Sequence, residues 1–140
     1  MSKDKALLHC AKISSNDEYI QPFAVIKFSN KIKSRGVFST VEYNKGDIIE
    51  IAPALMQQLR HNVGVISDYT FGYDDKNCLI GYGYTSMYNH ADKPNAYWDL
   101  INDNKVVITA QKKILPDEEI FISYGDKYFE SRDYINKITK

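Results

Sequence analysis

The sequence predicts a mainly β, single-domain protein, and three observations carry that prediction. Short β-branched and aromatic runs recur along the 140-residue chain. Each is closed within a few positions by Gly, Pro, Asn, Asp or Ser, the residues that let a chain reverse. No internal repeat, low-complexity tract or linker separates them, and a chain of this length forms one domain that buries roughly two thirds of its unfolded surface.

Residues 1–22 are read as an N-terminal extension with a short helix over Ala6 to Ile13, and residues 23–140 as the domain. Phe23 to Phe28 is the first strand, stopped by Ser29-Asn30, and a basic loop (Lys31, Lys33, Arg35) follows it to Gly36. Val37-Phe38-Ser39 is a short strand, and Tyr43-Asn44-Lys45-Gly46-Asp47 turns the chain into Ile48 to Ile51, a strand closed by Pro53. Ala54 to Val65 has mixed periodicity and no assignment. Asp68 to Tyr73, the turn Asp74 to Asn77 and Cys78-Leu79-Ile80 form a hairpin. Met87 to His90 is read as a helical turn. The clearest hairpin joins Ala96 to Ile101 and Lys105 to Ala110 through Asn102-Asp103-Asn104, residues that tolerate left-handed backbone. Ile120 to Tyr124 is the last strand, and Tyr128, Phe129, Tyr134 and Ile135 are spaced for a short amphipathic helix.

Lys plus Arg and Asp plus Glu both number 18, so no global field draws the chain to nucleic acid or a membrane surface, and no direct nucleic-acid partner is expected. A charged partner has to be met by a local patch. The two cysteines, Cys10 and Cys78, lie far apart, which fits a reducing compartment and argues against a cysteine zinc cluster. No apolar run approaches a membrane span, and the chain is read as intracellular. Eleven Tyr against one Trp suit either a β-rich core or a pocket lined by ring edges and hydroxyls.

Two stretches carry more turn chemistry than a connector needs. Ser86-Met87-Tyr88-Asn89-His90-Ala91-Asp92-Lys93-Pro94-Asn95 resembles the Asn-His-Ser-x-x-Pro-Asn signature of SET-domain protein lysine methyltransferases. Glu118-Glu119-Ile120-Phe121-Ile122-Ser123-Tyr124-Gly125 resembles the second signature, whose tyrosine is the family's catalytic residue. Ser34-Arg35-Gly36-Val37-Phe38-Ser39 is similar to the early Gly-x-Gly motif, and Tyr43 to Ile49 to the turn and strand that follow it. The resemblance runs from about Val25 to Ile135, and the short chain resembles the minimal SET proteins of large DNA viruses and some microbes. Ser34 replaces the first glycine and Ala91 the serine after histidine. The zinc-binding cysteines that follow the tyrosine in many relatives are absent, so Tyr128, Phe129 and their helix would close the channel.

The resemblance implies a SET fold of short sheets around a C-terminal pseudo-knot and methyl transfer from S-adenosylmethionine to a protein lysine, with histone tails as substrate, a nuclear location and no metal. Tyr124 would orient the amine and contact the methyl donor, with Tyr69 as a second channel tyrosine or a core residue. Ser34, Arg35, Gly36, Val37 and Phe38 would receive the methionine part of the cofactor, and Tyr88, Asn89 and His90 its adenine end. Phe129 or Tyr128 would stack on adenine or dock a helix, and Trp98 would line the channel or fill the core. Ile122 stands where relatives carry the ring that limits methyl number, which points to a higher methylation state. A lysine of pKa about 10.4 must lose its proton first. A sulfonium about 4 Å away disfavours the ammonium by about 4 kcal/mol at an effective dielectric near 20, which is roughly three pKa units, so no strong protein base is required.

Acidic walls for a basic tail are expected from Asp74-Asp75 and Asp117-Glu118-Glu119. The competing readings are a non-catalytic SET-like module that binds or scaffolds peptides, and a methyltransferase of non-histone proteins. Homodimerisation through the N-terminus or Ala54 to Val65 is a further expectation.

Overall fold

A computed structural model describes residues 18–125. Nine strands and two 3₁₀ segments are present among them. Strands β1 (Ala24–Ser29) and β2 (Ser34–Ser39) pair as an antiparallel hairpin. A five-stranded antiparallel sheet has the order β4-β5-β3-β8-β7, built from β3 (Ile48–Gln58), β4 (Thr70–Gly72), β5 (Asn77–Gly81), β7 (Ala96–Ile101) and β8 (Lys105–Ala110). The two-residue strands β6 (Asn89–His90) and β9 (Phe121–Ile122) form a parallel pair. This pair joins the two signature stretches.

The β7–β8 hairpin has the predicted bounds, and Asn102 at its turn is left-handed (φ 56°). The predicted hairpin about Asp74 to Asn77 also forms, with Asp74 Oδ1 accepting from the Lys76 and Asn77 N–H groups at 2.8 and 2.7 Å. Its first strand is shorter than expected, because Gly64–Tyr69 is a 3₁₀ segment and only Thr70–Gly72 is extended.

Pro53 does not close β3. The strand runs through it to Gln58, pairing with β8 up to Pro53 and with β5 from Ala54 onward. Proline lacks an N–H, and it stands where the ladder changes partner. Its carbonyl accepts from Tyr82 N–H (2.9 Å), while Ala54 N–H turns to the Asn104 carbonyl (2.8 Å). A bulge between Ile48 and Glu50 also breaks the in-out alternation, so Ile49 and Glu50 are both buried.

Three further expectations change. β2 begins at Ser34, three residues early; Met87 to His90 is a turn entering β6 instead of a helical turn; and the strand expected over Ile120 to Tyr124 has only two paired residues. Ile20, assigned to the extension, exchanges two backbone hydrogen bonds with Ile51 (2.9 and 3.0 Å). The core is shared by all three sheets, with Val37, Tyr43, Ile49, Leu79, Tyr88, Ile108, Ile114 and Ile120 fully enclosed. The helix expected over Ala6 to Ile13, the C-terminal helix, Cys10, Tyr128 and Phe129 lie outside the described residues.

Candidate active site

The parallel β6–β9 pair needs its backbone groups satisfied on both sides, and Asn95 supplies one side. Its Nδ2 donates to the Glu119 carbonyl and its Oδ1 accepts from Phe121 N–H, both at 2.8 Å. The side chain is buried, so the Pro-Asn turn clamps β9 against the chain that precedes it. Asn89 ties the same region to β2, donating from Nδ2 to the Arg35 carbonyl (2.7 Å) and to Glu119 Oε2 (2.8 Å). Glu119 Oε1 accepts from the Ser29 hydroxyl. Gly36 permits this approach, since a Cβ there would fall 2.5 Å from Glu119 Oε2.

Tyr124 leaves β9 at the centre of these ties. Its N–H donates to His90 Nδ1 at 2.9 Å, and its hydroxyl donates to the Tyr88 carbonyl at 2.7 Å. A ring nitrogen that accepts from a backbone amide is unprotonated, so the neutral imidazole carries its proton on Nε2, which faces Asp92 Oδ1 at 2.8 Å. His90 is therefore an orienting group for the Tyr124 backbone, and its ring lies 5.3 Å from the tyrosine ring.

Beneath the pair lies a carboxylate that the sequence reading did not single out. Glu50 is 2 % exposed, accepting from Tyr84 N–H at 2.9 Å and from the Tyr88 hydroxyl at 2.8 Å. Burial pushes its carboxyl up to about 7, against the opposing pull of those two donors. Tyr88 is pushed well above the ordinary tyrosine range by burial and by the Glu50 charge. Gly83 holds a left-handed turn (φ 63°) with no room for a Cβ beside Glu50. Tyr43 accepts from Phe23 N–H at 3.0 Å, and burial raises it to about 12.

A narrow cavity of about 70 Å³ opens beside Tyr124, walled by Tyr69, Phe71, Trp98 and Ile122, with Tyr88 also lining it. Trp98 Nε1 donates to the Ser123 carbonyl (3.0 Å), and its ring meets Phe71 edge-on at 5.1 Å. The tryptophan cannot swing without losing both. Thr85, Ser86 and the half-buried Asp68 also line the cavity.

The structure thus brings Tyr69, Tyr88, Trp98, Ile122 and Tyr124 around one cavity, with His90 beside it through its bond to Tyr124, while the Asn89 side chain is tied to Arg35 and Glu119. Ser34 and Arg35 are exposed at the start of β2, Val37 is fully buried in the core, and the Phe38 ring lies under the Lys27 ammonium at 4.6 Å. The expected acidic walls are elsewhere: Asp74 holds a turn, and Asp117 to Glu119 line a different groove. Asp68 is the acid at the cavity. Phe71 and Asp68 carried no motif, though both flank Tyr69 in sequence. Glu50 was hidden because a strand glutamate reads as solvent-facing until the bulge is known.

Comparison with known proteins agrees with this geometry. The family model described as SET domain matches residues 34–125. A histone-lysine N-methyltransferase of Schizosaccharomyces pombe, named as specific for H3 lysine-37, is 33% identical over 100 residues, covering 67% of this chain and 68% of its own. The crystal structure of a Plasmodium falciparum protein described as a histone methyltransferase matches with a TM-score of 0.68 at 33% identity, over 76% of this chain and 96% of that one.

Proposed function

The chain belongs to the SET-domain family of protein-lysine methyltransferases, and from that premise we propose that it methylates a lysine of a histone tail with Tyr124 as the catalytic residue. The observation that carries the assignment is the cavity itself. It is narrow, five aromatic side chains line it, and it has at one wall a tyrosine fixed at both its backbone and its hydroxyl. An extended lysine side chain is an apolar stem with a polar tip, which suits such a channel.

The residues present also fit S-adenosylmethionine. Asn89 uses both amide protons on Arg35 and Glu119, and its Oδ1 has no partner among the described residues, leaving an acceptor for a purine amino group. Exposed Ser34 and Arg35 stand at the other end of that bond, and the Arg35 guanidinium suits a carboxylate. When bound, the cofactor supplies a methyl group on a sulfonium.

The chain's own residues then do three things. Trp98, Phe71 and Ile122 exclude water and disfavour the charged ammonium, which lowers the lysine pKa. Tyr124, held by Tyr88 and His90, presents a fixed oxygen to the amine. Alignment in such a channel removes on the order of 7 to 11 kcal/mol of barrier. Asp68 lies where the cationic residue is met.

Transfer of labelled methyl from S-adenosylmethionine to histone tails, with the native chain and Tyr124→Phe side by side, tests this. Label on a discrete histone band is expected, with a loss on the order of 10²-fold in Tyr124→Phe at unchanged cofactor affinity. Undiminished transfer by Tyr124→Phe would remove Tyr124 from the chemistry.

A further inference from the structure

The even balance of charge conceals one groove in which lysines outnumber acids. A wide groove of about 880 Å³ lies between the β1–β2 hairpin, the turn after β6 and the turn after β8. Three segments distant in sequence bring five lysines to it: Lys27 and Lys31 from the hairpin, Lys93 from the second, Lys112 and Lys113 from the third. Three acids also line it against the five lysines, which leaves positive charge in excess. Glu119 is buried with its oxygens bonded to Ser29 and Asn89, and Asp117 faces Lys27 at 3.9 Å. Glu118 is the remaining acid.

Lys27 and Lys31 are partly held, their ammonium groups lying 4.6 Å from the Phe38 ring centre and 5.9 Å from that of Phe121. Lys93, Lys112 and Lys113 are exposed and have no ion-pair partner among the described residues. These three lysines therefore carry an excess of positive charge that no ion pair among the described residues offsets. A basic histone tail is turned away by such a face, so it is not a route to the channel. A polyanion is drawn to it, and lysines on flexible stems suit evenly spaced phosphates read without regard to sequence.

We propose that this groove is a docking surface for the phosphate backbone of duplex nucleic acid, distinct from the channel. Phe38 and Glu119 border both the groove and the cofactor-binding residues, whereas Lys93, Lys112 and Lys113 belong to the groove alone. The partner lies against Lys93, Lys112 and Lys113, and its charge replaces the counter-ions those lysines otherwise hold. A substrate whose basic tails emerge from a nucleic-acid complex is thereby brought to the enzyme through its nucleic acid as well as through its lysine. The surface does not depend on which side chains perform methyl transfer.

The test is fluorescence anisotropy of a labelled mixed-sequence DNA duplex with the full chain over a series of salt concentrations. Three proteins are compared: native, Lys93→Ala/Lys112→Ala/Lys113→Ala, and the charge-matched Lys45→Ala/Arg60→Ala/Lys76→Ala, whose positions lie outside the groove. The native chain is expected to bind at low salt. The groove variant should lose about tenfold or more, with the salt slope smaller by about three, one for each phosphate contact removed. The matched variant should stay within about twofold, as a general pull of surface charge would not allow. Methylation of a free tail peptide should be the same in native and groove variant. Absence of native binding, equal losses in the two variants, or peptide methylation falling in step with DNA affinity would each overturn the proposal. Anisotropy needs no turnover, so failure of the methylation assay and failure of this proposal are separate results.

Discussion

In the narrow channel the key polar groups are turned onto the protein, whereas in the basic groove three of the lysines have no internal partner among the described residues. The Tyr124 hydroxyl, the Trp98 indole N–H and the His90 ring nitrogens all have internal partners at 3.0 Å or less. Lys93, Lys112 and Lys113 have none of that kind. The volumes follow suit, about 70 Å³ against about 880 Å³. Chemistry on one amine requires side chains that do not move, and internal hydrogen bonds immobilise them. A surface that meets a repeating, hydrated partner gains more from mobile, unpaired charge.

If the channel owes its rigidity to internal bonds, the largest effect comes from the clamp under β9. Asn95→Ala leaves the Glu119 carbonyl and Phe121 N–H buried without partners, and each such group costs about 1–3 kcal/mol. Denaturant unfolding should show a loss on the order of 3 kcal/mol, together with most of the activity. A loss below about 0.5 kcal/mol would show that the β6–β9 pair holds without the clamp.

The buried carboxylate gives a pH-dependent version of the same contrast. Its folded value is raised from 4.5 to about 7, so the fold prefers the protonated form. That contribution is complete below pH 4.5 and is lost as pH rises through about 7. Glu50→Gln removes the titration while keeping the shape, so its stability relative to native should grow by about 3 kcal/mol between pH 4.5 and pH 8. Thermal melts across that range that move in parallel would sink the argument.

Trp98→Phe keeps a ring against Phe71 but removes the donor to Ser123, leaving that carbonyl without its indole partner. We expect about 1 kcal/mol of stability to be lost and kcat to fall by more than cofactor affinity does, measured by steady-state kinetics beside calorimetry. At the other extreme, Lys93→Ala/Lys112→Ala/Lys113→Ala removes groups with no internal partner, and its unfolding free energy should stay within about 0.5 kcal/mol of native. A large loss there would place the groove in the stabilising framework and erase the contrast.

The two hairpins were legible because local chemistry wrote them, and the candidate site residues were read from their resemblance to the SET-domain signatures. Asn102 needs a residue that accepts left-handed backbone, and Asp74 needs neighbours it can cap, so both hairpins were readable at their turns. The signature stretches carried Tyr88, Asn89, His90 and Tyr124 to one place, and Tyr69, Trp98 and Ile122 line the same cavity. Pro53 misled for a physical reason. A proline ends a strand when its missing N–H leaves a ladder unpaired, and here the ladder changes partner at that residue.

By itself, then, the sequence determined the β-rich class, the turns of the two hairpins and the absence of a global charge field. Each depends on a residue's own backbone preference, on spacing of a few positions or on a simple count. The signature residues were readable through their resemblance to the SET-domain family. Only the tertiary structure decided that Glu50 is buried under Tyr88, that Asp68 and not the acidic runs meets the channel, and that five lysines from three segments face one groove. Those facts depend on a bulge and on long-range strand pairing, which set what lies beside a side chain from far along the chain, where no local pattern records it.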